Sequence, residues 1–399
     1  VKESPARFED LAGLRLYRRN SFAVTGLSVD ARGPAVRRHR QRLDARLAFE
    51  ETWAGDAHSP VREGYRRDEV RLAFEEFQDP RRRLVDELTW YWRDAGLGCG
   101  CAPATHERHD EAVRAHLTAI EAETGHLDVP TAGRTRYWKN AADGWAELLD
   151  SPDLRGHIAH RMTALADPRL DDHAPDDFLA GLPGLLLSPF AELAGDRAAR
   201  PRLAEVCARW AEYPVFATPL PEVFEDAVEE SVDRLKDALR TAGERHEAGQ
   251  HADALATLEE RVLPAYGEFE SLKRFVPESR SEEMAHTVTV ALNNVALGIC
   301  EAGLHRPFRT RLIETMEAAS RIAPQRDQVQ IDQNLTAVRQ GRAGTGAQAA
   351  EQLKPSECAG CVFLLLTIAG GIVAGLTAGA AWATGIIIGG FVLVGMLTS

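Results

Sequence analysis

The stretch "FEEFQDPRRRLVDELTWYW", residues 74–92, decides how the front of this 399-residue chain is read. Apolar and charged residues succeed one another at helical rather than strand spacing, and Asp79-Pro80 interrupts the run because proline cannot donate a backbone hydrogen bond. The pattern predicts a helix closing at the interruption and a second one, "RRRLVDELTWYW", continuing to Gly96. Trp90 and Trp92 are expected to dock this segment onto the helices C-terminal to it.

Working outward, "SFAVTGLSVDA" is a short apolar segment ending in a turn. "GPAVRRHRQRLDARLAFE" then reads as a helix with Val36, Leu43 and Leu47 on one side and arginines on the other. Gly55, Pro60 and Gly64 mark a loop before "RRDEVRLAFEEF". On the other side, "GLGCGCAPAT" has the composition of a linker, and "HERHDEAVRAHLTAIEAETG" is expected to be an amphipathic helix. From there to about Arg339 helix, short turn and proline alternate, and nothing repeats with a period of two. Gly249, Ala254 and Leu258 fall where a tetratricopeptide unit would place its turn glycine and two packing residues. A later pair containing Leu297, Gly298, Ala319 and Pro324 fits only with irregular spacing, so no measurable period is established.

With 60 acidic against 47 basic residues, the net charge of −13 argues against nucleic acid as the partner of the whole chain. Basic residues are nearly all arginine, a bias expected of a GC-rich bacterial genome. The six cysteines are few, and no apolar signal segment opens the sequence, so the bulk is expected in a reducing cytoplasm.

Two blocks carry a family resemblance. "NSFAVTGLSVDARGPAVRRHRQRLDARLAFE" is similar to the first two helices of a J domain, the module through which co-chaperones engage a DnaK-type chaperone. The matching positions are Phe22, Val24, Gly26, Leu27, Asp30, Ala31, Val36 and Leu43. "AFEEFQDPRRRLVDE" resembles the third helix and its end through Ala73, Phe74, Glu75, Phe77, Asp79, Pro80, Arg82, Val85 and Asp86. More broadly, "WAELLDSPDLRGHIAHRMTALADPRL" after such a block resembles bacterial proteins that join a J-like module to a long helical region. The resemblance implies that Arg37, Arg38, Arg40 and Arg42 form a basic face toward an acidic partner. It also implies a missing activity. Where the family has the His-Pro-Asp that stimulates ATP hydrolysis, this chain has Ala48, Phe49 and Glu50; His58-Ser59-Pro60 comes ten residues later in another pattern.

Other chemistry is weak in the sequence. "CGCAPATHERH" gathers Cys99, Cys101, His106 and His109, but Cys-x-Cys is a poor chelating spacing and His-Glu-Arg-His is one residue short of the metalloprotease pattern. His157 and His160 share a helix turn without a third ligand. Cys358 and Cys361 form a lone Cys-x-x-Cys, a weak metal or redox candidate. Gly-Lys does not occur anywhere, so no Walker-type phosphate loop exists, and no cofactor is expected.

Residues 361–399 contain no charge. As one helix they would span about 55 Å, beyond a hydrocarbon core of about 30 Å, so two short spans near 362–378 and 385–397 are expected, with one tilted span as the alternative. Gly371, Gly375, Gly379, Gly385 and Gly389 suit close helix packing, and hence homo-oligomers.

The expectation is thus an all-α protein: a J-like module (1–98), a helical domain (105–220), an irregular tetratricopeptide-like hairpin array (221–340), a linker (341–360) and the membrane segment (361–399). The expected function is that of a non-enzymatic, membrane-tethered adaptor with a protein partner. A J-type co-chaperone and a cysteine-based metal or redox protein are the alternatives.

Overall fold

The computed structural model describes residues 12–60, 64–93 and 98–340. The protein is all-helical; among the described residues the sole extended pairing is an antiparallel bridge between Trp53 and Tyr65. No helix among them is long and apolar enough to cross a membrane. The linker, the expected spans with their five glycines, and Cys358 and Cys361 lie outside the described residues.

The front contains α1 (Ser21–Thr25), α2 (Gly33–Arg46), α3 (Arg67–Glu76) and α4 (Pro80–Leu88). Next come α5 (Pro103–Glu123), α6 (Thr131–Asp150), α7 (Pro152–Leu165), α8 (Ala174–Leu193) and α9 (Arg200–Ala211). Two short helices, α10 (Pro214–Ala217) and α11 (Leu220–Val223), lead to α12 (Glu225–Glu247), α13 (His251–Thr257) and α14 (Leu263–Leu272). The last three are α15 (Glu278–Glu301), α16 (His305–Ile322) and α17 (Gln325–Arg339). The described residues fall into two compact units: 12–245 with 256–285, and 246–255 with 286–340.

In the first unit, Asn20 caps α1 by accepting from the N–H groups of Phe22 and Ala23, and its amide donates to the Asp86 carbonyl at 2.7 Å. That single side chain starts one helix and ties it to α4. Gly26 ends α1 with φ +69°, a conformation that a residue with a Cβ adopts only under strain. Beneath these helices Phe22 and Phe77 meet edge to face at 4.9 Å, with Phe74, Leu43, Val70 and Val85 buried around them. Each such side chain stabilises the module by about 1.5–3 kcal/mol on burial.

Asp79 caps α4 by accepting from the N–H groups of Arg81 and Arg82, which is why the chain restarts there. The expected continuation to Gly96 does not occur. The helix stops at Leu88, where Thr89 donates its hydroxyl to the Val85 carbonyl at 2.9 Å. Trp90, Tyr91 and Trp92 are all buried. On a helix, three successive residues point about 100° apart and one of them would face solvent, so an irregular path buries more surface.

α5 departs from expectation as well. Its first half keeps an exposed edge at Glu107, Glu111 and Arg114, but its second half is not two-sided: every residue from Ala115 to Ala122 is buried. Its alanines admit close neighbours, and a Cβ added at Gly144 of α6 would stand 2.9 Å from that of Ala112. Trp138, Trp145 and Trp210 pack around α5 as fully buried anchors; Trp138 lies 4.4 Å from Phe190, and Trp210 lies 4.7 Å from Phe216.

The second unit is held by α16 and α17 as a helical hairpin with the later part of α15. A buried Asn334 amide donates to Asn293 at 2.8 Å, and His286 Nδ1 lies 2.6 Å from Asp327. Gly249 takes φ +73° in the turn after α12, and Ala254 is buried; Leu258, in the first unit, is buried as well.

Candidate functional site

Two groups of residues stand out in the first unit. The first is the outer side of α2. Leu43 is its one fully buried residue, so most of the helix faces away from the core. Arg37, Arg38 and Arg42 are exposed. Arg40 is partly covered, its guanidinium 5.9 Å from the Phe74 ring and its Nε 3.9 Å from Asp44. His39 donates from Nε2 to the Thr25 carbonyl at 2.8 Å, and so presents its Nδ1 lone pair to Arg42 at 3.3 Å. Three of the four expected basic residues therefore form an open face. In the turn after α2, Phe49 is 93% exposed, beside Ala48 and Glu50.

His58 does not stand in that turn. Its backbone N–H donates to Asp56 at 2.9 Å, and its ring Nδ1 lies 3.0 Å from the same carboxylate oxygen. Asp56 also accepts from Trp90 Nε1 at 3.0 Å and from Arg93. Burial pushes its pKa up, but hydrogen bonds from His58 and Trp90 and the Arg93 charge outweigh that, so it is held below the usual value. The loop is a structural anchor for the chain that leaves α4.

The second group is assembled by that departing chain. Asp110 of α5 accepts the backbone N–H groups of Trp92 and Arg93 at 2.7 and 2.8 Å, and the reversal is completed by Arg93 at φ +57°. The Trp92 indole donates to the Glu87 carbonyl at 2.8 Å and lies between two imidazoles. His109 of α5 stacks on one side at 3.6 Å and His157 of α7 at 3.7 Å, with interplanar angles of 6° and 10°. His106 meets Trp92 edge-on at 5.3 Å.

Cys99 and Cys101, just ahead of α5, reach the same place. Cys99 Sγ is 3.2 Å from His106 Nε2, and Cys101 Sγ is 3.6 Å from His157 Nδ1. Burial, reinforced by Cys99, pushes the Cys101 thiol up to about 12. Burial and then the neighbouring imidazoles and Arg161 hold His157 down to about 2. Both shifts favour the neutral forms. Cys99, Cys101, His106 and His109 lie together in the sequence with a spacing poor for chelation. The structure keeps the first three and replaces the fourth: His109 Nε2 donates to the Leu88 carbonyl at 2.8 Å, while His157 closes the set. The i to i+3 pairing of His157 with His160 is visible in the sequence, but no local signal joins α7 to Cys99.

Close to this group, Glu87 of α4 forms a buried ion cluster with Arg83 and with Arg161 of α7. Comparison with protein families, with curated proteins and with solved structures returns no match for this chain.

Proposed function

We propose that this protein is a membrane-tethered adaptor that acts by binding, with the outer face of α2 docking an acidic surface of a partner protein. The observation that carries this reading is the exposure of Arg37, Arg38 and Arg42 on one helix of a chain whose net charge is −13, next to a fully solvated Phe49. Positive charge concentrated on one face steers encounter with an acidic surface, and an exposed aromatic residue supplies an apolar anchor at its edge. Together with the J-like sequence pattern, this makes a DnaK-type chaperone the partner class to test first. Ala48, Phe49 and Glu50 offer no group equivalent to His-Pro-Asp, so binding without stimulated ATP hydrolysis is the expected behaviour. The uncharged residues 361–399 are the proposed tether.

The test is titration of the full-length protein, held in detergent, with a purified DnaK-type chaperone at about 50 and about 300 mM salt. Binding should weaken about tenfold or more at the higher salt, and Arg37→Glu/Arg38→Glu/Arg42→Glu should remove it with the chaperone's ATPase rate unchanged throughout. Salt-insensitive binding, or binding that survives charge reversal, would refute the docking face. ATPase stimulation abolished by His58→Gln would instead establish an active co-chaperone working from the loop at Asp56.

A further inference from the structure

We infer that Cys99, Cys101, His106 and His157 form a tetrahedral zinc site, an assignment independent of the α2 docking face. One donor atom from each residue lies within 4.8 Å of the other three. With Zn–S near 2.3 Å and Zn–N near 2.0–2.1 Å, a regular tetrahedron has sulfur-to-nitrogen edges of about 3.6 Å. The two such edges resolved by direct contact measure 3.2 and 3.6 Å. These two edges are within a few tenths of an ångström of the tetrahedral value, and the other donor pairs, all within 4.8 Å, close by about 1.5 Å at most as the ion enters.

The surroundings prepare the imidazoles for this role. His106 Nδ1 faces the Arg93 carbonyl at 3.3 Å; since a carbonyl only accepts, Nδ1 carries the proton and Nε2 keeps its lone pair toward Cys99. The stacked Trp92 restrains rotation of His157, which turns Nδ1 toward Cys101. Asp153, close enough to influence Cys101, is engaged by the Thr105 hydroxyl at 2.9 Å and is not among the convergent donors. Two thiols lose their protons to solvent as the ion enters, and the resulting thiolates neutralise its double charge, while the imidazoles enter neutral. Two soft sulfurs with two nitrogens favour zinc over magnesium or calcium, which prefer oxygen ligands.

Four protein donors leave no position for a reactive water, so the site is structural. It fastens the segment carrying Cys99 and Cys101 to α5 and α7 around Trp92. Thiolates that could be oxidised are thereby protected inside a closed coordination shell.

The test uses the full-length protein, without a polyhistidine tag, purified under reducing conditions and supplied with zinc alone. Elemental analysis should find close to one zinc per chain, and Cys99→Ser/Cys101→Ser should retain about a tenth of that or less. Cobalt in place of zinc should give intense visible bands and a sulfur-to-metal charge-transfer band, both absent in the serine variant. Those cysteines are only partly buried, so the variant should keep its helical circular dichroism, whereas changes at His157 risk the core. Cys358→Ser/Cys361→Ser should leave the metal content unchanged. A folded, reduced chain that takes up no zinc overturns the assignment, as does zinc that survives loss of Cys99 and Cys101 or departs with Cys358 and Cys361.

Discussion

Asp86 is fully buried in α4, where its carboxylate accepts from Ser21 N and from Arg82 Nε, each at 3.2 Å. Burial, opposed by Arg82 and Ser21 and assisted by Glu76, pushes its carboxyl up to about 6. The native protein therefore holds a proton between pH 4 and 6, approximately, that the unfolded chain has released. Stability from this group is present below that window and lost as pH rises through it, by at most about 3 kcal/mol. Asp86→Asn stays uncharged throughout. In urea unfolding at both ends of the window, the variant should gain on the parent protein as pH rises; a difference that does not change with pH would show that Asp86 does not titrate there.

Between elements, the buried cluster on Glu87 joins α4 to α7. Arg161 donates to Glu87 at 2.8 and 3.2 Å and to the Val29 carbonyl at 3.0 Å; Arg83 donates to Glu87 at 3.0 Å and to the Ala31 carbonyl at 2.6 Å. No buried polar atom of the three side chains lacks a partner, which a charge group so well buried requires. Arg161→Ala leaves Glu87 and the Val29 carbonyl short of donors and should cost about 3–5 kcal/mol in chemical denaturation. Arg155 on the same helix pairs with Asp176 in solvent, and Arg155→Ala should leave the denaturation midpoint nearly unchanged. Equal losses at the two positions would mean that burial does not govern the cluster. The expected helix to Gly96 fails at this same scale: local pattern favours continuation, but Asp110 on a different helix takes the N–H groups that continuation would have used.

For the whole molecule, the adaptor reading combines an arginine face with an uncharged C-terminal stretch. The full chain should sediment with membranes and be released by detergent but not by high salt, whereas a chain stopped at Gln340 should remain in the supernatant. Identical partition of the two would remove the tether. A salt-released full chain would point to electrostatic attachment instead, because apolar insertion is insensitive to screening.

Helical class, the break at Asp79-Pro80 and the turn at Gly249 were determined by the sequence itself, since each depends on periodicity or backbone chemistry within a few residues. The basic character of α2 was equally legible, although Arg40 lies beside the Phe74 ring of α3 and is less open than Arg37, Arg38 and Arg42. Only the tertiary structure decided the rest. Cys99 and Cys101 have a poor chelating spacing, His106 adds one nitrogen, and the fourth donor arrives on α7 because Trp92 brings α5 and α7 against one indole. The same physics buries the second half of α5 on all sides: a helix carries no local record of how many neighbours will pack on it. Ligand geometry and complete burial are set by contacts between residues far apart in the chain, and those exist only once the helices are assembled.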